Sequence, residues 1–162
     1  MKTIFLDFNG VLDTYNKLDI IDEENLKILR EVVEETKANV VITSSIKNLY
    51  FYTGKHNKIM RYLLETLKEN NIRVTGITKK RNKREEEIIE YLDNHPEINH
   101  YCIIDDEYDF KSMKDHMIKL KEQQYGGNGL KEINKKEIIK TLNKPRTKIS
   151  YKEIKKEDEE ER

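Results

Sequence analysis

The chain has 162 residues, enough for one domain with a sizeable core, and its 31 basic and 31 acidic side chains cancel. Zero net charge excludes attraction to polyanions through bulk charge and leaves room only for a local basic patch. One cysteine excludes a disulfide framework and a cysteine-ligated zinc site, and "MKTIFLD" meets its first acid too early for a leader or membrane span. The apolar residues arrive in ordered clusters, so the high charge reads as solvated helix faces of a soluble, cytoplasmic protein, a monomer or weak dimer.

In chain order, Thr3 to Leu6 is a short strand ending at Asp7. "IDEENLKILREVVEETK" is a helix that Asp22 can cap, with Leu26, Leu29, Val32 and Val33 on one face. "NVVIT" is a strand without alternation, as expected when both faces are covered, and it delivers Thr43, Ser44 and Ser45. A second helix spans Lys58 to Asn70, with Ile59, Leu63 and Leu67 inward, followed by "NIRVTG" as an edge strand. A third helix, Glu85 to Leu92, turns Ile88, Ile89 and Leu92 inward. "HYCIID" is again apolar, with Cys102 as a buried thiol, until it stops at Asp105 and Asp106. Met117 to Leu120 is a last short strand and Lys135 to Leu142 a terminal helix. Residues 1–145 then form one domain and 146–162 a charged tail. The four histidines have no ligand spacing and read as surface or core-edge residues.

Strands alternating with helices predict a three-layer α/β/α sandwich around a parallel sheet, whose ligands sit beyond the carboxyl ends of the strands. Three strands end in polar groups: Asp7, then Thr43 and Ser44, then Asp105 and Asp106. In a parallel sheet these converge on one edge. Carboxylates gathered there repel one another and lose hydration, a cost that a hard divalent cation removes. Oxygen ligands from Asp7, Asp105 and either Asp106 or Asp109 suit magnesium, which keeps waters and a substrate phosphate as its other ligands. Asp7 is then placed to attack phosphorus as a carboxylate nucleophile.

These segments resemble the motifs of the haloacid dehalogenase-like (HAD) superfamily. "DFNGVLD" resembles the first, "VVIT" the second, "KREEEIIEYL" the third and "YCIIDDEYD" the fourth. The phrases "VITSSIKNL", "GITKKRNKREEEIIEYL" and "GNGL" further resemble the capless HAD domain of Swiss army knife RNA-repair proteins, although Ile46 and Lys47 stand where relatives usually carry Trp-Arg. The resemblance implies a magnesium-dependent phosphatase. Asp7 would be the nucleophile that forms an aspartyl-phosphate and also binds metal. The backbone carbonyl of Asn9, Asp105 and Asp106 would bind metal, Thr43 would hydrogen-bond the phosphoryl group, and Arg84, with Lys80 and Lys83 as alternatives, would supply the cation. Gly10 would keep the loop clear of the phosphate, with Ser44, Lys80 and Lys83 at the substrate.

The departure is Asn9, where phosphatases of the superfamily usually carry a second aspartate as general acid and base. An amide cannot exchange a proton usefully, although its carbonyl and NH₂ remain available. Three readings stand open: a substitution made to stall turnover, a natural residue in a slow phosphate-binding domain, or compensation by a good leaving group or another acid such as Asp13.

Neither Asp13 to Lys37 nor Ser44 to Lys80 has room for a folded lid, so the expected cleft is open. Open clefts suit nucleotides and large substrates such as a nucleic-acid end or a phosphoprotein. "KKRNKR" at Lys79 to Arg84 can track a nucleic-acid backbone or simply disperse charge. Tyr50, Phe51 and Tyr52 either pack or offer a stacking platform.

Overall fold

The computed structural model describes residues 1–12, 21–43, 58–108, 110–122 and 125–147. Its elements are β1 (Lys2–Leu6), α1 (Glu23–Thr36), β2 (Asn39–Ile42), α2 (Lys58–Glu69), β3 (Val74–Ile77), α3 (Arg84–Asn94), β4 (His100–Asp105), a 3-10 helix (Lys111–His116), β5 (Met117–Lys119) and α4 (Glu132–Leu142). The strands form one parallel sheet in the order β3-β2-β1-β4-β5. The chain builds outward from β1 to β3, then returns through α3 to β4 on the other side of β1. The order therefore reverses between β1 and β4, which is where such sheets form a crevice.

The period-two alternation of the strands sorts the core into two layers. Ile4, Leu6, Val40, Ile42, Cys102 and Ile104 pack under α1, α2 and α4. Phe5, Val41, Tyr101 and Ile103 pack under α3 and the 3-10 helix. Right-handed crossovers impose this division, because connections running in opposite directions along a sheet must lie on opposite faces. Both faces are covered, which explains the continuous apolar strands. Burial pushes the Cys102 thiol well above the ordinary thiol range.

Asp22 caps α1 as expected, accepting from the N–H groups of Glu24 (2.9 Å) and Asn25 (3.1 Å). Two expectations need correction. The buried stripe of α2 is Met60, Leu63 and Leu67, while Ile59 is exposed. Spacings of three and four alternate to follow 3.6 residues per turn, whereas the repeated step of four that picked out Ile59 drifts around the helix. His116 is buried rather than peripheral: its ring stacks on Tyr101 at 3.9 Å and its Nδ1 lies 2.9 Å from the Tyr101 carbonyl oxygen. Burial holds its pKa below the ordinary histidine range. The six-residue 3-10 helix that carries His116 had no apolar periodicity to announce it.

After α4 the chain returns to the body. Pro145 bridges His100, and the Arg146 guanidinium donates to the carbonyls of His95 (3.3 Å) and Ile98 (3.2 Å). The rest of the charged tail, from residue 148, lies outside the described residues. Among the described residues no helix is long and apolar enough to cross a membrane.

Candidate functional site

Strand hydrogen bonding continues past the strand ends and carries the polar residues into register. The Asp7 N–H donates to the Ile104 carbonyl (3.1 Å), the Thr43 N–H to Leu6 (3.0 Å) and the Leu120 N–H to Asp105 (2.8 Å). Leu6 pairs with Ile42 on one side and Ile104 on the other, so Asp7 stands between Thr43 and Asp105. All three share the strand parity of Phe5, Val41 and Ile103 and face the α3 side of the sheet. Asp7, Thr43, Asp105 and Asp106 are buried, and Asn9 is exposed at the loop surface.

One carboxylate oxygen from each of Asp7, Asp105 and Asp106 lies within 4.8 Å of the others. Burial, followed by repulsion from Asp105, pushes the Asp7 carboxyl up to about 7, against the opposing pull of Arg84 and the Phe8 N–H. Burial also raises Asp105, although the N–H groups of Glu107 (2.8 Å) and Tyr108 (3.1 Å) donate to its Oδ1. Asp105 Oδ2 is buried without a hydrogen bond, and its near neighbour is Arg84 Nη1 at 3.5 Å. Three clustered hard oxygens, one lacking a hydrogen-bond donor, fit a hard divalent cation.

The main chain is shaped around this cluster. Gly10 has φ +78°, and a Cβ built there would collide with Asp106 Oδ2. Gly10→Ala is expected to cost about 2–4 kcal/mol, from left-handed strain and displacement of the Asp106 carboxylate. Urea denaturation would read it, and a loss below about 0.5 kcal/mol would mean that the loop and Asp106 are free to shift.

Arg84, at the first turn of α3, enters from the opposite wall. Its Nη1 is 3.6 Å from Asp7 Oδ1, and its guanidinium carbon lies 5.1 Å from the centre of the Tyr108 ring. Lys80 and Lys83 are exposed outside the cluster, with Lys83 at the N-cap position of α3. Within "KKRNKR", Arg81 is engaged by Glu90 through contacts of 2.5 and 2.6 Å, and Arg84 points inward. The exposed cations of that stretch are Lys79, Lys80 and Lys83. Asp13, Ser44, Tyr50, Phe51, Tyr52 and Asp109 lie outside the described residues.

Three contributors were not singled out from the sequence. Glu87 is buried against Arg84, but inside "REEE" it reads as one more solvated acid. Tyr108 covers Arg84 from the acidic loop. Asn25, on α1, donates to the carbonyls of Asn128 (3.0 Å) and Leu130 (2.8 Å), while the Leu130 N–H donates to Val11 (3.0 Å). Gly129, at φ +74°, lets this segment close over the loop after β1, because a Cβ there would lie 2.6 Å from the Val11 oxygen. Only "GNGL" hinted at that contact.

A parallel sheet with an aspartate ending the central strand, and an acidic pair ending its neighbour across the switch point, is an α/β, Rossmann-like fold of the HAD type. The family model for the HAD domain in Swiss Army Knife RNA repair proteins matches residues 3–126, and the chain belongs to that family. No curated protein and no solved structure matches.

Proposed function

We propose that this chain is a magnesium-dependent phosphatase that acts through an aspartyl-phosphate on a nucleotide or polynucleotide-end phosphate. The observation that supports this most is the buried cluster of Asp7, Asp105 and Asp106 facing the Arg84 guanidinium. Asp7, Asp105 and Asp106, with the carbonyl of Asn9, would hold the cation, which when bound offsets their charge and polarises the phosphoryl oxygens. An Asp7 oxygen attacks phosphorus, the bond to the leaving oxygen breaks, and water then hydrolyses the acyl-phosphate to regenerate Asp7. Arg84 and Thr43 orient the phosphoryl oxygens, and Arg84 stabilises charge on them. Asn9 can donate a hydrogen bond to the leaving oxygen but supplies no proton, so that oxygen takes its proton from solvent water. In this reading Lys79, Lys80 and Lys83 lie on the rim beside the substrate's backbone, with Ser44 near the phosphate.

Asn9 favours a second reading, a phosphate-binding interaction domain with very slow turnover. Phosphate release from 5′- and 3′-phosphorylated oligonucleotides and from mononucleotides, with magnesium or with EDTA, separates the two. The phosphatase reading expects magnesium-dependent release that prefers one of these substrates. Magnesium-dependent binding of the same molecules without release would support the binding domain instead.

A further inference from the structure

A buried acid beside an anion-binding pocket is counterproductive unless it has separate work to do. Glu87 is such an acid, only 6% exposed and one turn after Arg84 on α3. Its Oε2 lies 3.5 Å from Arg84 Nε and accepts from Thr78 Oγ1 at 3.3 Å, while its Oε1 accepts from the Arg81 N–H at 3.2 Å. Thr78 is itself tied to the sheet, since its N–H donates to the Ile42 carbonyl at 3.0 Å. Glu87 thus joins three pieces: the strand end beside Thr43, the basic loop, and the Nε edge of Arg84.

The contacts of Arg84 Nη1 with Asp7 and Asp105, at 3.6 and 3.5 Å, exceed ordinary hydrogen-bond lengths, as does the 3.5 Å contact of its Nε with Glu87. All three are ion-pair contacts, held by charge. Any cation that occupies the three aspartates competes for that charge, and the hold on Nη1 weakens when the site is loaded. Glu87 lies on the far edge of the guanidinium, outside the aspartate cluster, and is not among the groups that such a cation engages. Tyr108 covers the face of the group. We propose that Glu87 is the positioning residue that keeps Arg84 aimed into the pocket when the aspartates are engaged, and that it locks the basic loop to the same point. The inference rests on the reading that a phosphoryl group is received between Asp7 and Arg84.

The test pairs Glu87→Gln, which keeps shape and acceptor oxygen but removes the charge, with Thr78→Val, which keeps Glu87 and removes its hydroxyl support. Two readouts are taken on the full chain: calorimetric binding of inorganic phosphate in magnesium, and the Arg84 Nε–H signal in proton–nitrogen NMR, assigned by its absence in Arg84→Lys. The parent should show a slowly exchanging Nε–H that persists when magnesium is added. Glu87→Gln should lose that signal and bind phosphate about 10- to 100-fold more weakly, as when an outer partner of a site is removed. Thr78→Val should fall between, and it decides the matter alone if Glu87→Gln does not fold. An unchanged Nε–H signal and unchanged phosphate affinity in the folded variants would overturn the proposal. If the parent binds no phosphate, the reading of the site fails, and the NMR arm still decides whether Glu87 holds Arg84.

Discussion

Asp7→Asn is expected to abolish phosphate release and, at the same time, to stabilise the metal-free protein. If Asp7 is the proposed nucleophile, its loss removes the acyl-phosphate route, a fall on the order of 10³-fold or more in turnover. The gain in stability follows from the electrostatics of the cluster. Folding raises the Asp7 carboxyl from 3.8 to about 7, chiefly through burial and repulsion by Asp105. A carboxyl raised in this way contributes stability that is fully present below its unfolded value and is lost as pH rises through the folded value. The metal-free parent should therefore weaken between about pH 4 and pH 8, by roughly 2–4 kcal/mol from this group. At pH 8 in EDTA, Asp7→Asn should melt on the order of 5–10 °C higher than the parent, with the difference vanishing near pH 4. Magnesium should raise the melting temperature of the parent more than that of the variant. A variant that melts below the parent at pH 8 in EDTA would show that the Asp7 carboxylate is stabilised where it sits, contrary to the crowded-acid account.

Asn9→Asp is expected to raise turnover by about 10²–10⁴-fold, the usual worth of a positioned general acid–base. Asn9 is exposed two residues beyond Asp7, so the substitution adds a carboxyl at the mouth of the site without burying another charge in the cluster. The gain should depend on the leaving group. An oligonucleotide phosphate expels a poor alkoxide and needs the proton, whereas p-nitrophenolate leaves without one. On p-nitrophenyl phosphate the parent chain should show a burst of about one p-nitrophenol per protein followed by slow turnover, because the second step still lacks a base for water. The Asn9→Asp variant should lose the burst and turn over steadily on both substrates. Equal inertness of the two proteins towards every substrate would remove the phosphatase reading and leave phosphate binding as the role of the pocket.

The fold was legible because its signals are local. Runs such as "TIFL", "NVVIT" and "HYCIID" read as strands, and Asp22 with its following stripe read as a capped helix. Errors arose where a local rule was too coarse, as with the step of four that placed Ile59 inward, or where no periodicity existed, as in the 3-10 helix carrying His116. The strand-end acids were visible because charge ending an apolar run is rare. Glu87 and Asn25 were not, because each resembles its neighbours until folding supplies its partners.

By itself, then, the order of residues determined the alternation of strands and helices, the chemistry at each strand end and the departure at Asn9. Those depend on hydrophobic period, capping and side-chain type, all carried within a few residues of chain. Tertiary structure turned Arg84, which the sequence already favoured over Lys80 and Lys83, inward, and it alone decided that Asp106 sits against Gly10 and that Glu87 and Tyr108 contact the guanidinium. Each of those depends on distances between segments far apart in the chain, and only the packed sheet and α3 set them.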